Sequence, residues 1–161
     1  MRITAQKDRK KIKLDLVDYK PDYIEQLIDI IFDAYQDQPE YGEPTRKHAK
    51  RYINWLSKHS NFFKILLLNG KPIGFIVADL EETPTKKYGE IHELAIKKEF
   101  WGFKLGDYLL DKAIDFLKEK GAEEIVLWVG KTNDKAISFY KKRGFEPVLE
   151  AGKWLKMVKK L

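Results

Sequence analysis

The sequence predicts an α/β protein with a mixed, mostly antiparallel central sheet and helices on both of its faces. Three observations carry that prediction. A strand pattern (GEIHELAI), a helical pattern (about Leu105 to Lys120) and a nearly all-apolar run (EEIVLWV) follow one another. A strand, a helix and a second buried strand in succession make a parallel pair with a right-handed crossover. Two apolar runs in FFKILLLNGKPIGFIVADL are separated by Asn69-Gly70, residues that accept positive φ in a tight hairpin turn. Two short strand patterns, around FEPVLE and KWLKMVKKL, close the chain and add antiparallel pairing beside the parallel pair.

Taken in order, IKLDLVDY (12 to 19) alternates apolar and polar residues like a strand. Pro21-Asp22 opens YIEQLIDIIFDAY, where Ile24, Leu27, Ile28 and Ile31 keep helical spacing. The loop QDQPEYGEP leads to a second helix from Thr45 to about Lys58, with Thr45 as its cap. After the hairpin and GEIHELAI, the third helix buries Leu105, Leu109, Ala113, Ile114 and Leu117 and ends at Gly121. The fourth runs from about Asn133 to Arg143 and stops at Gly144. The order is βααββ followed by βαβαββ, with no repeat and no low-complexity linker. Residues 12–161 read as a single domain, and residues 1–11 as a basic, flexible N-terminal segment.

Composition narrows the function. With 161 residues, 43% of them hydrophobic, the chain can bury one sizeable core. The absence of cysteine excludes disulfides, thiolate metal sites and a cysteinyl acyl-enzyme. His48, His59 and His92 are far apart, so no metal is expected. No apolar run approaches the ~20 residues that span a bilayer, and MRITAQKDRKKIK lacks the apolar middle of a secretion signal. A cytoplasmic protein without a membrane partner is expected. The net charge of +6 sits at the ends: residues 1–13 hold six basic residues against Asp8 alone, and residues 153–161 add four lysines. A nucleic-acid binder would carry its charge on a helix or groove in the body, so nucleic acid is not the expected partner.

Two segments carry chemistry. FWGFKLGDYLL (100 to 110) joins a strand to a helix, and the free N–H groups at such a helix start suit a pyrophosphate. By spacing alone it is a turn with two glycines. VGKTNDKAISFYKKRGFEPV starts a helix near Asn133, places Ile137 and Tyr140 on one face, and ends the helix at Gly144-Phe145. Taken alone, Asn133 is a helix cap and Tyr140 a half-buried packing residue.

Together, GEIHELAIKKEFWGFKLGDYLLDKAIDFL and VLWVGKTNDKAISFYKKRGFEPV resemble the two signature segments of the GNAT superfamily, the acetyl-CoA-dependent N-acetyltransferases. The first corresponds to the family's strand and Q/R-x-x-G-x-G/A loop. The other is similar to N-x-x-A-x-x-x-Y-x-x-x-G-F, matched by Asn133, Ala136, Tyr140, Gly144 and Phe145. The resemblance spans residues 12–161 and implies the acyl-CoA N-acyltransferase fold, in which the parallel pair is splayed. It implies that the backbone of Leu94, Ala95 and Ile96 pairs with the pantetheine arm of acetyl-CoA. It further implies that N–H groups of Gly102, Phe103, Lys104, Leu105, Gly106 and Asp107 hold the pyrophosphate, that Asn133 contacts the cofactor arm, and that Tyr140 sits near the sulfur. The loop departs from the pattern at Trp101, which replaces Gln or Arg, and at Lys104, which replaces the first glycine. Lys104 is acceptable there with a negative φ and adds charge near phosphates. Asp107 competes with a phosphate and should point away.

Acetyl transfer to an amine needs a neutral amine, an oxyanion donor and a proton for the departing thiolate. Without cysteine, direct attack in a ternary complex is the natural route. A lysine-like amine, pKa near ~10.4, is neutral in about one molecule per thousand at pH 7, so a base helps. In EIHELAI, period two puts Glu90, His92 and Leu94 on one face and Ile91, Glu93 and Ala95 on the other. GNAT histone acetyltransferases resemble this strand with a catalytic glutamate at the position of Glu90, and arylalkylamine acetyltransferases with histidines at the positions of Glu90 and His92. Those two are the base candidates, and Glu93 is third because a bulge would exchange the faces. Without a cleft, Glu90 is a solvated strand-end acid and His92 a satisfied core histidine. The Ile96 N–H or a neighbour is the expected oxyanion donor. Tyr140 is suited to return the proton, with a reference pKa near ~10 against ~8.5 for a thiol. Asp37, Glu40 and Glu43, between the first two helices, favour a cationic amine acceptor. The expected activity is N-acetylation of a small-molecule or protein amine by a chain that is compatible with a homodimer. A CoA-binding regulatory module without catalysis, and a nucleic-acid binder working through the basic ends, are the alternatives.

Overall fold

The computed structural model describes residues 1–161. The elements in chain order are β1 (Arg2–Lys7), β2 (Lys10–Asp18), α1 (Ile24–Ala34), α2 (Arg46–His59), β3 (Phe62–Leu68), β4 (Lys71–Glu82), β5 (Lys87–Ile96), α3 (Leu105–Glu119), β6 (Glu124–Gly130), α4 (Asp134–Lys141), β7 (Glu146–Ala151) and β8 (Trp154–Lys160). The eight strands form one sheet in the order β1-β2-β3-β4-β5-β6-β8-β7. The pair β5/β6 is parallel and its neighbours are antiparallel. The β3–β4 turn holds Asn69 at φ 52° and Gly70 at φ 79°, the positive values a two-residue hairpin turn requires. No helix is long and apolar enough to cross a membrane.

The N-terminus differs from the expectation of a flexible basic segment. Arg2–Lys7 pair with β2 as an edge strand, Arg2 opposite Asp15 and Lys7 opposite Lys10. Ala5 is buried and Ile3 packs against the core. Two apolar residues are too short an alternation to stand out among so many charges. Arg2 and Lys7 stand exposed at the two ends of this edge strand, where charge also discourages pairing with other chains.

Helix α3 covers one face of the sheet, placing Leu109, Leu110, Ala113 and Leu117 in a core with Leu14, Ile76, Ile91 and Ile125. Helices α1 and α2 cover the other, where Leu27, Ile31, Ile53 and Leu56 meet Ile65, Phe75 and Val77. Coverage on both sides explains why β3 and β4 are apolar at almost every position.

The parallel ladder is short. It pairs Tyr88–Ile91 with Glu124–Leu127 and stops. Beyond that point β5 continues along β4 to Ile96, and β6 continues along β8 to Gly130. The break coincides with a β-bulge: Val77 lies opposite Glu93 and Ala78 opposite Ile91, which leaves His92 as the extra residue. A bulge bends its strand and increases its local twist, here at the residue where pairing to β6 ends.

Helix α3 approaches β5 over Gly89, where a Cβ would lie 2.4 Å from Cδ1 of the fully buried Leu117. Gly89→Ala should therefore destabilise the fold by about 1–3 kcal/mol, measured by urea unfolding, because Leu117 has no room to yield.

Candidate active site

Where β5 and β6 separate, a cleft of about 740 Å³ opens between β5, the turn before α3 and the start of α4. The N–H of Lys97 bonds back to the Ile73 carbonyl on β4 at 2.9 Å. Successive N–H groups of a strand point to opposite sides, so Leu94 and Ile96 direct theirs into the gap and Ala95 directs its own towards β4.

At the other end of the cleft, the backbone N–H groups from Gly102 to Asp107 find no acceptor within the chain. The first intrachain bond of α3 runs from Tyr108 to the Lys104 carbonyl, at 3.1 Å. The starts of α2 and α4 are capped, by Thr45 accepting from His48 N–H and by Asn133 accepting from Ala136 N–H, both at 3.2 Å. The start of α3 has no side-chain cap. Six free N–H groups at the positive end of a helix form a site for an anion. Gly102, Lys104, Leu105, Gly106 and Asp107 line the cleft, whereas the Phe103 ring is buried in the α3-side core.

The departures in this loop each have a structural reason. Lys104 stands at φ 59°, so the expected negative φ is corrected: the lysine adopts the left-handed conformation that favours glycine, at a cost of about 1–2 kcal/mol. Asp107 pairs with Arg143, whose guanidinium lies 3.6 Å from the Phe139 ring centre. Its charge is thus engaged by the turn that follows α4. Trp101 donates its indole N–H to the Ile96 carbonyl at 2.8 Å, closing the end of β5, and carries the Lys135 ammonium 4.1 Å above its ring. Gly106 lies under Phe139, where a Cβ would come within 3.2 Å of the ring. Asn133 lines the cleft, but its side-chain oxygen is committed to the cap of α4.

The bulge decides which carboxyl enters the cleft. Strict alternation would put Ile91 and Leu94 on opposite faces, yet both pack with the α3-side core. Glu90, His92 and Glu93 turn together towards α1 and α2. His92 lies 3.0 Å from Glu90 and edge-on to Trp55 of α2, while Glu93 accepts a hydrogen bond from the Tyr35 hydroxyl at 3.0 Å. The two-face assignment made from period two is corrected accordingly. Glu93 and His92 line the cleft, and Glu90 stands behind His92.

Burial pushes the Glu93 carboxyl up to about 7, with the Tyr35 hydrogen bond opposing and the charge of Glu43 adding to the rise. Burial, then the charge of Glu93, push the Tyr140 hydroxyl well above the ordinary phenol range, against a smaller pull from Arg143. For His92, burial disfavours the charged ring, but the hydrogen bond and charge of Glu90, with Asp79 and Glu81, outweigh it and raise the pKa. The cleft thus holds a carboxyl that is partly ionised near neutrality and a phenol that stays protonated, the division of roles that acid–base chemistry needs.

A second cavity of about 710 Å³ adjoins the first at Tyr35, Tyr41, His92, Glu93, Trp128 and Trp154. Its further walls include Glu43 and Tyr52. Tyr41 straps the α1–α2 loop over the gap: its hydroxyl accepts from the Thr132 N–H at 3.1 Å and meets Thr132 Oγ1 at 2.5 Å. Gly130 lets the ring sit there, since a Cβ would lie 2.3 Å from it. Of the three loop acids, Glu43 faces this cavity, Asp37 pairs with Lys98 at 2.5 Å, and the Glu40 carbonyl accepts from Lys153. The sequence did not disclose Tyr35, Tyr41, Tyr52, Trp128 or Trp154 as wall residues. Their only signal was aromatic content, since the contacts join segments far apart in the chain.

A sheet parted at its one parallel pair, with a free helix start at the mouth of the gap, is the acyl-CoA N-acyltransferase fold. Residues 25–145 match the acetyltransferase (GNAT) family, and the chain belongs to it. It is 35% identical over 144 residues to an uncharacterized N-acetyltransferase of Methanocaldococcus jannaschii, covering 87% of this chain and 64% of that protein. The chain therefore spans less than two thirds of that relative's length. Among solved structures it resembles a Pyrococcus horikoshii protein, with a TM-score of 0.80, 33% identity and coverage of 92% and 98% of the two chains. It also resembles the PaiA N-acetyltransferase of Thermoplasma acidophilum in complex with coenzyme A, with a TM-score of 0.74, 25% identity and coverage of 92% and 99%.

The position of Glu93 has a consequence for stability. Its folded-state pKa, about 7, lies above the ordinary 4.5, so the folded state holds the proton more tightly. The stability associated with protonated Glu93 is fully present below the ordinary value and is lost as pH rises through the folded one. Glu93→Gln should melt close to wild type near about pH 5 and above wild type near about pH 8, measured by calorimetry across that range.

Proposed function

We propose that this protein is an N-acetyltransferase that moves an acetyl group from acetyl-CoA to an amine by direct attack in a ternary complex. The observation that carries this reading is the run of six unpartnered N–H groups, Gly102 to Asp107, at the mouth of a cleft lined by five of these residues and by Glu93 and Tyr140. The coenzyme A bound by the Thermoplasma acidophilum neighbour supports it. The chain's residues fit such a co-substrate: the free N–H groups suit a pyrophosphate, and the N–H groups of Leu94 and Ile96 suit the amide-bearing pantetheine arm and a developing oxyanion. Lys104 and Lys135 line the same cleft and add positive charge for phosphates. Acetyl-CoA, when bound, supplies the thioester carbonyl that the amine attacks.

Glu93 is the base in this reading, since it stands where the two cavities meet and is partly ionised at neutral pH. Tyr140 is the acid that returns a proton to the thiolate. The two are coupled, because the negative charge of Glu93 is one cause of the raised Tyr140 pKa. When Glu93 takes the amine's proton that charge is gone, and Tyr140 becomes a better donor at the moment a donor is needed. The second cavity receives the acceptor. Its carboxyls, Glu43 and Glu93, and its tyrosine and tryptophan rings favour a cationic amine over a neutral or anionic one.

Tyr140→Phe should lower turnover by about 100-fold or more while acetyl-CoA affinity, measured by calorimetry, stays near wild type. Equal turnover in the two proteins would exclude that role. Glu93→Gln should lower kcat to a similar extent and remove a rise in kcat/KM centred near the Glu93 pKa of about 7. If that limb survives in Glu93→Gln and disappears in a His92 or Glu90 variant, the base is one of those. A rise in melting temperature with acetyl-CoA, without free-thiol release across a broad amine panel, would instead support a binding module without catalysis.

A further inference from the structure

We propose that Lys7, on the β1–β2 hairpin, is a positioning residue for the anion loop: by holding the Trp101 carbonyl, it presents the Gly102 N–H to the cofactor's phosphates. The inference rests on the acetyl-CoA reading of the cleft. The family match begins at residue 25, so this hairpin lies outside it.

The contact follows from packing. Phe100 and Phe103 are buried in one core with Ala5 and Ile12, which draws the turn after β5 across the sheet to the end of the hairpin. Lys7, the last residue of β1, there donates from Nζ to the Trp101 carbonyl oxygen at 3.1 Å. Its stem covers Gly102 so closely that a Cβ at 102 would lie 2.8 Å from Lys7 Cε.

The peptide unit between Trp101 and Gly102 is trans, so its C=O and N–H point in opposite directions. With the oxygen held towards the hairpin, the N–H faces away from it, and Gly102 lines the cleft together with Lys104 and Gly106. Gly102 stands at φ 98° and has no Cβ to resist rotation of that peptide plane. A flipped plane would turn a carbonyl oxygen towards the phosphates in place of an N–H, converting attraction into repulsion. The charged hydrogen bond from Lys7 selects the orientation that binds. Lys135, seated 4.1 Å above the Trp101 ring, steadies the same residue from the α4 side.

The test measures acetyl-CoA, CoA and 3′-dephospho-CoA binding by calorimetry on wild type, Lys7→Met and Lys7→Arg, with the Gly102 amide followed by two-dimensional NMR. Lys7→Met should weaken all three ligands by about tenfold, with kcat at saturating acetyl-CoA within about twofold of wild type. Its Gly102 amide should shift less on ligand addition, and Lys7→Arg should recover most of the affinity. Lys7 is exposed, so the melting temperature should stay near that of wild type. Unchanged affinity and an unchanged Gly102 shift in Lys7→Met would overturn the proposal. A loss confined to ligands carrying the 3′-phosphate would also overturn it, making Lys7 a direct ligand of that group. If wild type itself bound none of the three, the acetyl-CoA reading would fall first and this inference with it.

Discussion

The separation of β5 from β6 beyond Ile91 and Leu127 is the constraint on which the rest of the site depends. A parallel ladder that continued would pair the N–H groups of Leu94 and Ile96 with β6 and leave no cleft. It ends where the extra residue His92 bends β5, and beyond that point each strand keeps only its outer neighbour, β4 for β5 and β8 for β6. The same bulge rotates Glu93 onto the α1–α2 side, beside Tyr35. One inserted residue thus opens the gap and supplies it with a carboxyl.

The chemistry of the cleft is set by what surrounds its polar groups. Glu93 is crowded by protein on the α1–α2 side, so its charge is disfavoured, yet the Tyr35 hydroxyl, with smaller help from the Leu94 backbone and His92, keeps ionisation within reach of neutral pH. Tyr140 feels that charge and stays protonated. The helix start at Gly102 to Asp107 shows the complementary arrangement, with free donors and no unpaired acid among them, because Arg143 engages Asp107. A carboxyl and a phenol lie in one part of the cleft and an electropositive backbone in another, the arrangement that the proposed reaction between a phosphate-bearing thioester and an amine would use.

Segments outside the βαβ centre shape this site from a distance. The α1–α2 loop reaches Thr132 through Tyr41, the β7–β8 hairpin contributes Trp154, and the N-terminal hairpin reaches Trp101 through Lys7. Lys104 remains in a left-handed conformation although a lysine resists it. The buried Phe103 and Leu105 on either side leave the chain little freedom to relax. Strain of this kind persists where packing on both sides over-determines the turn.

Sequence by itself determined the order of elements after residue 12, the hairpin at Asn69-Gly70, and the strand–loop–helix unit whose free N–H groups could take an anion. These are local matters of periodicity and turn chemistry, carried by neighbouring residues. It also supplied the resemblance that joins Asn133, Ala136 and Tyr140 to an acetyltransferase. Only the tertiary structure decided that residues 2–7 are a strand, since an edge strand with just Ile3 and Ala5 to bury acquires its meaning from the partner it pairs with. Likewise, only the partner strand could reveal the bulge: nothing in EIHELAI marks His92 as the extra residue until Val77 and Ala78 are set opposite Glu93 and Ile91. The choice among Glu90, His92 and Glu93, the turning of Asp107 to Arg143, and the role of Trp101 at the end of β5 follow from contacts between segments distant in the chain. Period-two arithmetic along one strand cannot contain them.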